Sequence, residues 1–135
     1  MRARVLLMSG AVACGPLYAE DLEGLWVHVQ DRQVEAIEFE GGDEGLVVLD
    51  RPYRLWRYPL NAEDTQEVQR GVYEVIPRRY RDSTLIRTVE WDVDYTLIDT
   101  EIQHLVVGAS SRELEILLNP ETEETRLYEA AQELP

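Results

Sequence analysis

The segment VEWDVDYTL, residues 89–97, alternates large apolar side chains with polar ones. Every odd-numbered position in it is aliphatic or aromatic, and every even-numbered position is acidic or a threonine. Because successive side chains of a β-strand point to opposite faces, this pattern predicts a strand with one buried face and one wet face. Such a strand is typical of an antiparallel sheet. The segment therefore favours an antiparallel β-fold.

Similar patterns continue along the rest of the chain. Strands are predicted over residues 25–30, 34–40, 46–50, 53–60, 71–76, 84 onward, 98–107, 113–118 and 125–130. Turn-forming residues separate them at 40–45, 51–52, 61–64, 108–111 and 119–121. No segment has a convincing helical period. The pattern predicts an all-β fold, an antiparallel up-and-down meander of about eight to nine strands closed into a barrel, with a β-sandwich as the alternative.

The composition limits the partners of this protein. The chain has 135 residues, of which 13 are basic and 27 acidic, and its net charge is −14. Phosphate contacts would oppose this negative field, so we expect no nucleic-acid partner. The single cysteine excludes an intramolecular disulfide.

The N-terminus has the pattern of a secretory signal. Arg2 and Arg4 precede an uncharged run over residues 5–13, and Cys14 follows it. Residues 11–15, AVACG, resemble a bacterial lipobox, in which small residues precede a cysteine that becomes lipidated. Ala11 stands where that motif usually has leucine. The apolar run is too short for a transmembrane helix, which needs roughly 20 residues.

Two routes of processing follow from this N-terminus. The chain is lipidated at Cys14, or it is cleaved after Ala19 as an ordinary secreted protein. A cytosolic protein with a buried apolar N-terminus is a third possibility. We expect residues 1–19 to form a leader with a short tether, and residues 20–135 to form one domain. The expected location is the bacterial cell envelope, lipid-anchored in the periplasm or outer membrane, or outside the cell.

No catalytic constellation is recognisable in the sequence. His28 and His104 both lie in predicted strands, and without a usable cysteine they are too few for a zinc site. The serines lack a G-x-S-x-G context. The acidic runs at 40–45 and 121–124 lack the spacing of an EF-hand and fit solvated hairpin tips. We therefore expect a protein without catalysis, metal or cofactor.

A small basic cluster follows Pro77. Arg78, Arg79 and Arg81 lie close together in an otherwise acidic chain. Such a cluster suits a lipid phosphate or an acidic partner surface. The alternative is a loop that nearby carboxylates neutralise.

Three short motifs resemble those of lipocalin-like barrels. Residues 24–26, GLW, resemble the G-x-W signature of the first strand, whose tryptophan closes one end of the barrel. Residues 93–95, VDY, are similar to the T-D-Y segment, with valine in place of threonine. Arg126 corresponds to the arginine that packs over the tryptophan. The motifs follow the family's order, so the chain resembles a small bacterial lipocalin-like lipoprotein without the helix of larger members.

The expected function is the binding of a small apolar or amphipathic ligand inside the barrel, because an eight-stranded barrel has room for one small ligand. The candidate ligand-binding residues are Trp26, Trp56, Tyr73, Trp91, Tyr95 and Arg126. Core packing is the alternative for each aromatic side chain. A rival interpretation is an envelope interaction or assembly lipoprotein with a solid core, which acts through its surface. A lipid anchor would add the membrane surface as a partner, and the oligomeric state stays open.

Overall fold

The computed structural model describes residues 17–41, 51–77, 83–91 and 97–135, with the backbone alone at 89–91 and 97–100. A short 3₁₀ helix, Ala19–Leu22, precedes the first strand. The strands are β1 (Gly24–Gln30), β2 (Gln33–Phe39), β3 (Arg51–Pro59), β4 (Glu67–Ile76), β5 (Ser83–Trp91), β6 (Leu97–Ala109), β7 (Glu113–Asn119) and β8 (Glu124–Ala131). The described part of the chain contains no α-helix.

The eight strands form a closed antiparallel barrel in which each strand pairs with the next along the chain. β8 returns to β1, where Trp26 pairs with Ala130 and Val27 with Glu129. This last pairing closes the sheet and removes its free edges. The predicted meander barrel is confirmed, and the alternative of a sandwich is not what the chain adopts.

The segment that best predicted a β-fold does not form one strand. β5 ends at Trp91, β6 begins at Leu97, and these two residues are cross-strand partners. The prediction of a single strand over residues 89–97 is therefore wrong. A period of two does not distinguish one long strand from two strands that pair with each other. The predicted strand at 46–50 lies outside the described residues.

Alternation along the strands separates an inner face from an outer face. The inner face buries one large apolar cluster: Leu22, Trp26, Ile37, Phe39, Tyr53, Leu55, Tyr73, Val75, Leu85, Val106, Leu114, Ile116 and Tyr128. Cross-strand pairs such as Trp26 with Ile37 and Phe39 with Tyr53 place these side chains in layers across neighbouring strands. The burial of this apolar area is the main force that holds the barrel together.

A second, smaller cluster lies on the outer face of β1, β2 and β3. It consists of Val27, Val34, Ala36 and Tyr58, with Ala62 and Leu134 packed against it. The Tyr58 hydroxyl donates a hydrogen bond to the carbonyl oxygen of Pro135 at 2.9 Å. The C-terminal residues therefore cover an apolar patch that the strand alternation leaves outside the barrel.

The 3₁₀ helix closes one end of the barrel, which we call the closed end. Leu22, in the helix, has no exposed surface, and its carbonyl accepts a hydrogen bond from Trp26 Nε1 at 2.7 Å. Arg51 forms ion pairs with Glu20, within the helix, and with Glu23, directly after it, each at 3.3 Å. These contacts fix the helix over the apolar interior. The opposite end, with the β1–β2 turn, is called the far end.

Leu17, ahead of the 3₁₀ helix, is tied to the barrel as well. Its backbone N–H donates to Ser83 Oγ at 3.0 Å, and the Ser83 hydroxyl in turn donates to the Leu17 carbonyl. The side chains of Leu17 and Ala19 pack against the inner apolar cluster. The contacts of the barrel thus begin before residue 20, where the domain is predicted to start.

Candidate functional site

A polar inner cluster lies toward the far end of the barrel and is centred on Glu35. The other members are His28, Arg57, Arg126 and Tyr128. Arg57 Nε donates to Glu35 Oε1 at 3.0 Å, and Arg126 Nη1 donates to Oε2 at 3.0 Å. The Tyr128 hydroxyl donates to the same Oε2. One carboxylate therefore receives three hydrogen bonds, two of them from guanidinium groups.

Strand register brings these side chains together. Glu35 on β2 pairs with His28 on β1 and with Arg57 on β3, so the three share the inner face. Arg126 and Tyr128 stand two residues apart on β8 and point to that same face. The His28 and Tyr128 ring centroids lie 5.8 Å apart. Four strands thus contribute to this group, and its central pair, Glu35 and Tyr128, is 93 positions apart in the sequence.

The cluster keeps Glu35 ionised. Burial by itself would raise the pKa of the Glu35 carboxyl, but the hydrogen bonds from Tyr128 and Arg57 and the charge of Arg126 outweigh it. The pKa therefore lies below its usual value of 4.5. Burial and the adjacent carboxylate raise the pKa of Tyr128, which stays a neutral donor. The cluster is anchored by a permanent negative charge at neutral pH.

Arg87, on β5, forms a second inner polar group with His104, on β6. The Arg87 side chain is only 8% exposed, and its Nη2 donates to His104 Nε2 at 3.0 Å. Its guanidinium carbon lies 5.4 Å from the centre of the Tyr53 ring. Arg87 pairs in register with Tyr73, which places its side chain on the inner face. Nε and Nη1 are buried and have no hydrogen-bond partner among the described residues.

His104 is neutral in this setting. Burial and the charge of Arg87 lower the pKa of its imidazole to about 4. A neutral imidazole with a free Nε2 is the form that accepts the hydrogen bond from Arg87. The histidine therefore orients Arg87 without adding charge, and it does not compensate the charge of Arg87.

Charge in the two inner polar groups is unbalanced among the described residues. In the described part of the barrel, the two inner polar groups contain three guanidinium groups, those of Arg57, Arg87 and Arg126, and one carboxylate, that of Glu35. The molecule as a whole carries a net charge of −14. These positive inner groups attract negative groups, whereas the net charge of the whole molecule repels them.

Two of the candidate ligand-binding residues belong to the apolar interior. Trp26 is 3% exposed and lies beside Leu22 at the closed end. Tyr73 is buried too, and its hydroxyl donates to the carbonyl of Glu40 at 2.8 Å. Burial raises the pKa of Tyr73 to about 12. Both side chains form part of the inner wall, at the end that the 3₁₀ helix covers.

Trp56 and Arg126 lie elsewhere than the sequence suggested. Trp56 packs against the outer cluster, so the barrel wall separates it from the interior, and our proposed interior site does not include it. Arg126 does not form the expected pair with Trp26: Trp26 pairs with Ala130, four positions further along β8, while Arg126 binds Glu35. Register, which the motif spacing did not reveal, is the reason for this correction.

The remaining predicted sites lie largely outside the described residues. The backbone of Trp91 pairs with Arg70 and with Leu97, and its side chain is not described. Predicted sites that fall outside the described ranges are Tyr95, Cys14, Arg78, Arg79 and Arg81.

Sequence reasoning missed Glu35, Arg57, Arg87 and Tyr128. A signal for two of them was present in the alternation. Glu35 shares its strand face with Ile37 and Phe39, and Arg87 shares its face with Leu85. A charged residue in line with buried apolar residues marks a polar group that points inward. That pattern identifies the inner charges but not their partners, which come from other strands.

The described residues contain no group of three or more His, Cys, Asp or Glu side chains placed to hold a metal ion. Within the same ranges, no helix has the length and apolar character needed to span a membrane. The chain matches no family model, and it gives no significant match to a curated protein or to a solved structure.

Proposed function

We propose that this protein is a lipocalin-like, non-catalytic binding protein that holds a small amphipathic molecule inside its barrel. The observation that carries the proposal is the division of the inner face into an apolar part and a charged part. The apolar cluster around Trp26 and Phe39 lies toward the closed end, and the polar inner cluster around Glu35 lies toward the far end. An amphipathic ligand has the same division.

Access to the interior is proposed to run through the far end. The 3₁₀ helix and Leu22 cover the closed end. At the far end, the Arg57 side chain is 55% exposed and that of Arg126 is 28% exposed, so water reaches this part of the inner face. A few convergent polar groups beside an apolar lining are typical of small-molecule sites. The inner polar groups, Arg87 with His104 among them, would orient the ligand, and desolvation of its apolar part would supply the affinity.

A titration with decanol, followed by tryptophan fluorescence, tests this function. We expect saturable quenching in the wild-type protein, and we expect it to persist in Trp56→Phe, because Trp56 lies on the outer face. Quenching that disappears in Trp56→Phe would instead place the probe outside the barrel. A complete absence of binding would overturn the proposal.

Location in the cell envelope through a lipid on Cys14 is part of the proposal. The contacts of Leu17 with Ser83 support lipidation over cleavage after Ala19, because that cleavage would remove Leu17 from the folded barrel. From residue 14 to residue 17 the chain reaches at most about 10 Å. The anchor would then hold the closed end near the membrane surface. Intact mass spectrometry of the protein from a bacterial envelope separates a diacylated Cys14 from a chain that begins at Glu20.

A solid barrel that acts through its surface is the rival function. It is favoured by the tight burial of the closed-end side chains, several of which have no exposed surface at all. Val29 and Leu127, which are 48% and 42% exposed, are apolar side chains available on the outside. The decanol titration decides between the two, because a filled barrel gives no saturable interior binding.

A further inference from the structure

Among the described residues, Arg87 is a charged side chain buried without a counter-charge. It is the one arginine, lysine, aspartate or glutamate among them that is buried, at 8% exposure. Burial of an ionised group is costly unless the group is paired and hydrogen-bonded. Its described partners are the neutral imidazole of His104 and the ring of Tyr53. Neither carries a negative charge.

The polar inner cluster does not supply the missing charge. Both oxygens of Glu35 are already engaged, Oε1 by Arg57 and Oε2 by Arg126 and Tyr128. Moving Glu35 to Arg87 would leave those two guanidinium groups unpaired. Among the described residues no carboxylate contacts Arg87, and a negative group on a ligand would compensate its charge.

The geometry of the guanidinium suits a carboxylate. Arg87 has five N–H protons, and His104 takes one of the two on Nη2. Nε and Nη1 keep all of theirs, since they have no partner among the described residues. A guanidinium has two edges that each donate two parallel hydrogen bonds, one formed by Nε with Nη2 and one by Nη1 with Nη2. His104 takes only one of the two Nη2 protons, so one two-pronged edge keeps both of its donors. Such an edge binds the two oxygens of a carboxylate in parallel.

We propose that Arg87 is the head-group site of the barrel and that its ligand is a single-chain amphiphile ending in a carboxylate. This rests on the proposed function and names its ligand class. His104 holds the guanidinium in place, and the apolar chain lies against inner side chains such as Tyr53 and Leu85. Because Nε and Nη1 are shielded from solvent, the head group reaches them by displacing the side chains that cover them.

The test compares decanoate with decanol by isothermal titration calorimetry at neutral pH. The two probes share their apolar chain and differ at the head group. We expect decanoate to bind at least about tenfold more tightly, since a hydrogen bond to a charged group is worth about 1.5–3 kcal/mol and 1.4 kcal/mol corresponds to tenfold. Arg87→Gln should abolish this preference while leaving decanol binding in place. Arg54→Gln, on the outer face, is the matched control and should keep the preference.

The outcomes separate the two proposals. Equal affinity for both probes in the wild type would overturn the carboxylate site and leave interior binding intact. No binding of either probe would overturn the proposed function itself. A preference for decanoate that survives in Arg87→Gln would also overturn the assignment to Arg87. Arg87→Lys keeps the charge but not the two-pronged edge, so a folded Arg87→Lys protein with a weakened preference supports the site even when Arg87→Gln does not fold.

Discussion

The indole Nε1 of Trp26 donates a hydrogen bond to the backbone carbonyl of Leu22 at 2.7 Å. This contact ties the first strand to the 3₁₀ helix that covers the closed end of the barrel. Both residues are almost fully buried. The bond therefore joins two parts of the apolar interior, and no solvent is available to replace it.

Replacement of Trp26 by phenylalanine should destabilise the barrel. The Leu22 carbonyl would lose its donor in a buried place, and the smaller ring would leave a gap beside Leu22. We expect the free energy of unfolding to fall by about 2 kcal/mol, measured by urea denaturation. Trp56→Phe is the control, and a loss below about 1 kcal/mol is expected there because Trp56 is partly exposed on the outer face. Equal losses in the two variants would contradict a stabilising role for the buried Trp26–Leu22 hydrogen bond.

Glu35 should stabilise the barrel at neutral pH. In Glu35→Gln the guanidinium groups of Arg57 and Arg126 lose their counter-charge, and we expect a loss of about 1.5–3 kcal/mol in the free energy of unfolding. The control is Glu74→Gln, at an exposed position of β4, which should change stability little. A neutral effect of Glu35→Gln would show that the cluster does not contribute to stability.

Acid should remove the contribution of Glu35. Its pKa in the folded protein lies below the usual value of 4.5, so the unfolded chain binds the proton more readily. The stabilisation is complete above that usual value and is lost as the pH falls through the lower, folded pKa. Urea denaturation below pH 4.5 should therefore show a steeper loss of stability in the wild type than in Glu35→Gln.

His104 should make stability depend on pH at higher values. Its pKa falls from 6.5 to about 4 on folding, so the unfolded chain binds a proton first. Stability should then decline as the pH falls from 6.5 toward 4, by at most about 3 kcal/mol. His104→Gln keeps an acceptor for Arg87 and lacks this titration. Unfolding measured in that pH interval should show a flatter profile in the variant, and identical profiles would contradict a buried neutral His104.

Gly71 should not tolerate a side chain. A Cβ at this position would lie 1.7 Å from the carbonyl oxygen of Thr88, where β4 and β5 shift register, and 3.1 Å from Tyr53 Cε1. We expect Gly71→Ala to destabilise the barrel by at least about 2 kcal/mol. A Cβ at Gly108 meets nothing closer than 3.7 Å. Gly108→Ala should therefore be neutral or stabilising, and thermal melts of both variants measure the difference. A neutral Gly71→Ala would disprove the close approach of Gly71 to the Thr88 carbonyl.

Arg32→Gly should stabilise the β1–β2 hairpin. Asp31 and Arg32 form its two-residue turn with φ values of 53° and 64°. Left-handed backbone costs a residue with a side chain roughly 1–2 kcal/mol, and glycine avoids that cost. We expect a gain of about 1 kcal/mol in the free energy of unfolding. Arg112→Gly, in a turn without positive φ, is the control and should lower stability.

The alternation of apolar and polar residues in the sequence was sufficient to predict most of the strands. Most of the eight strands coincide with predicted ones, and β4 differs mainly in beginning earlier, at Glu67. The Asp31–Arg32 turn between β1 and β2 was not predicted, because Asp31 is followed by an arginine and not by the glycine typical of such a turn. The candidate site was predicted less well. Trp26 and Tyr73 lie on the inner wall, while Trp56 lies outside it and the partner of Arg126 is Glu35.

By itself, the sequence determined that this protein is built of antiparallel strands, because alternation depends only on neighbouring residues along the chain. The tertiary structure alone decided that β8 closes on β1 and that Glu35 meets Arg126. It also decided that Arg87 is buried without a counter-charge within the described residues. These relationships depend on register between distant strands, and a two-residue period carries no information about which strands meet or how far they are shifted.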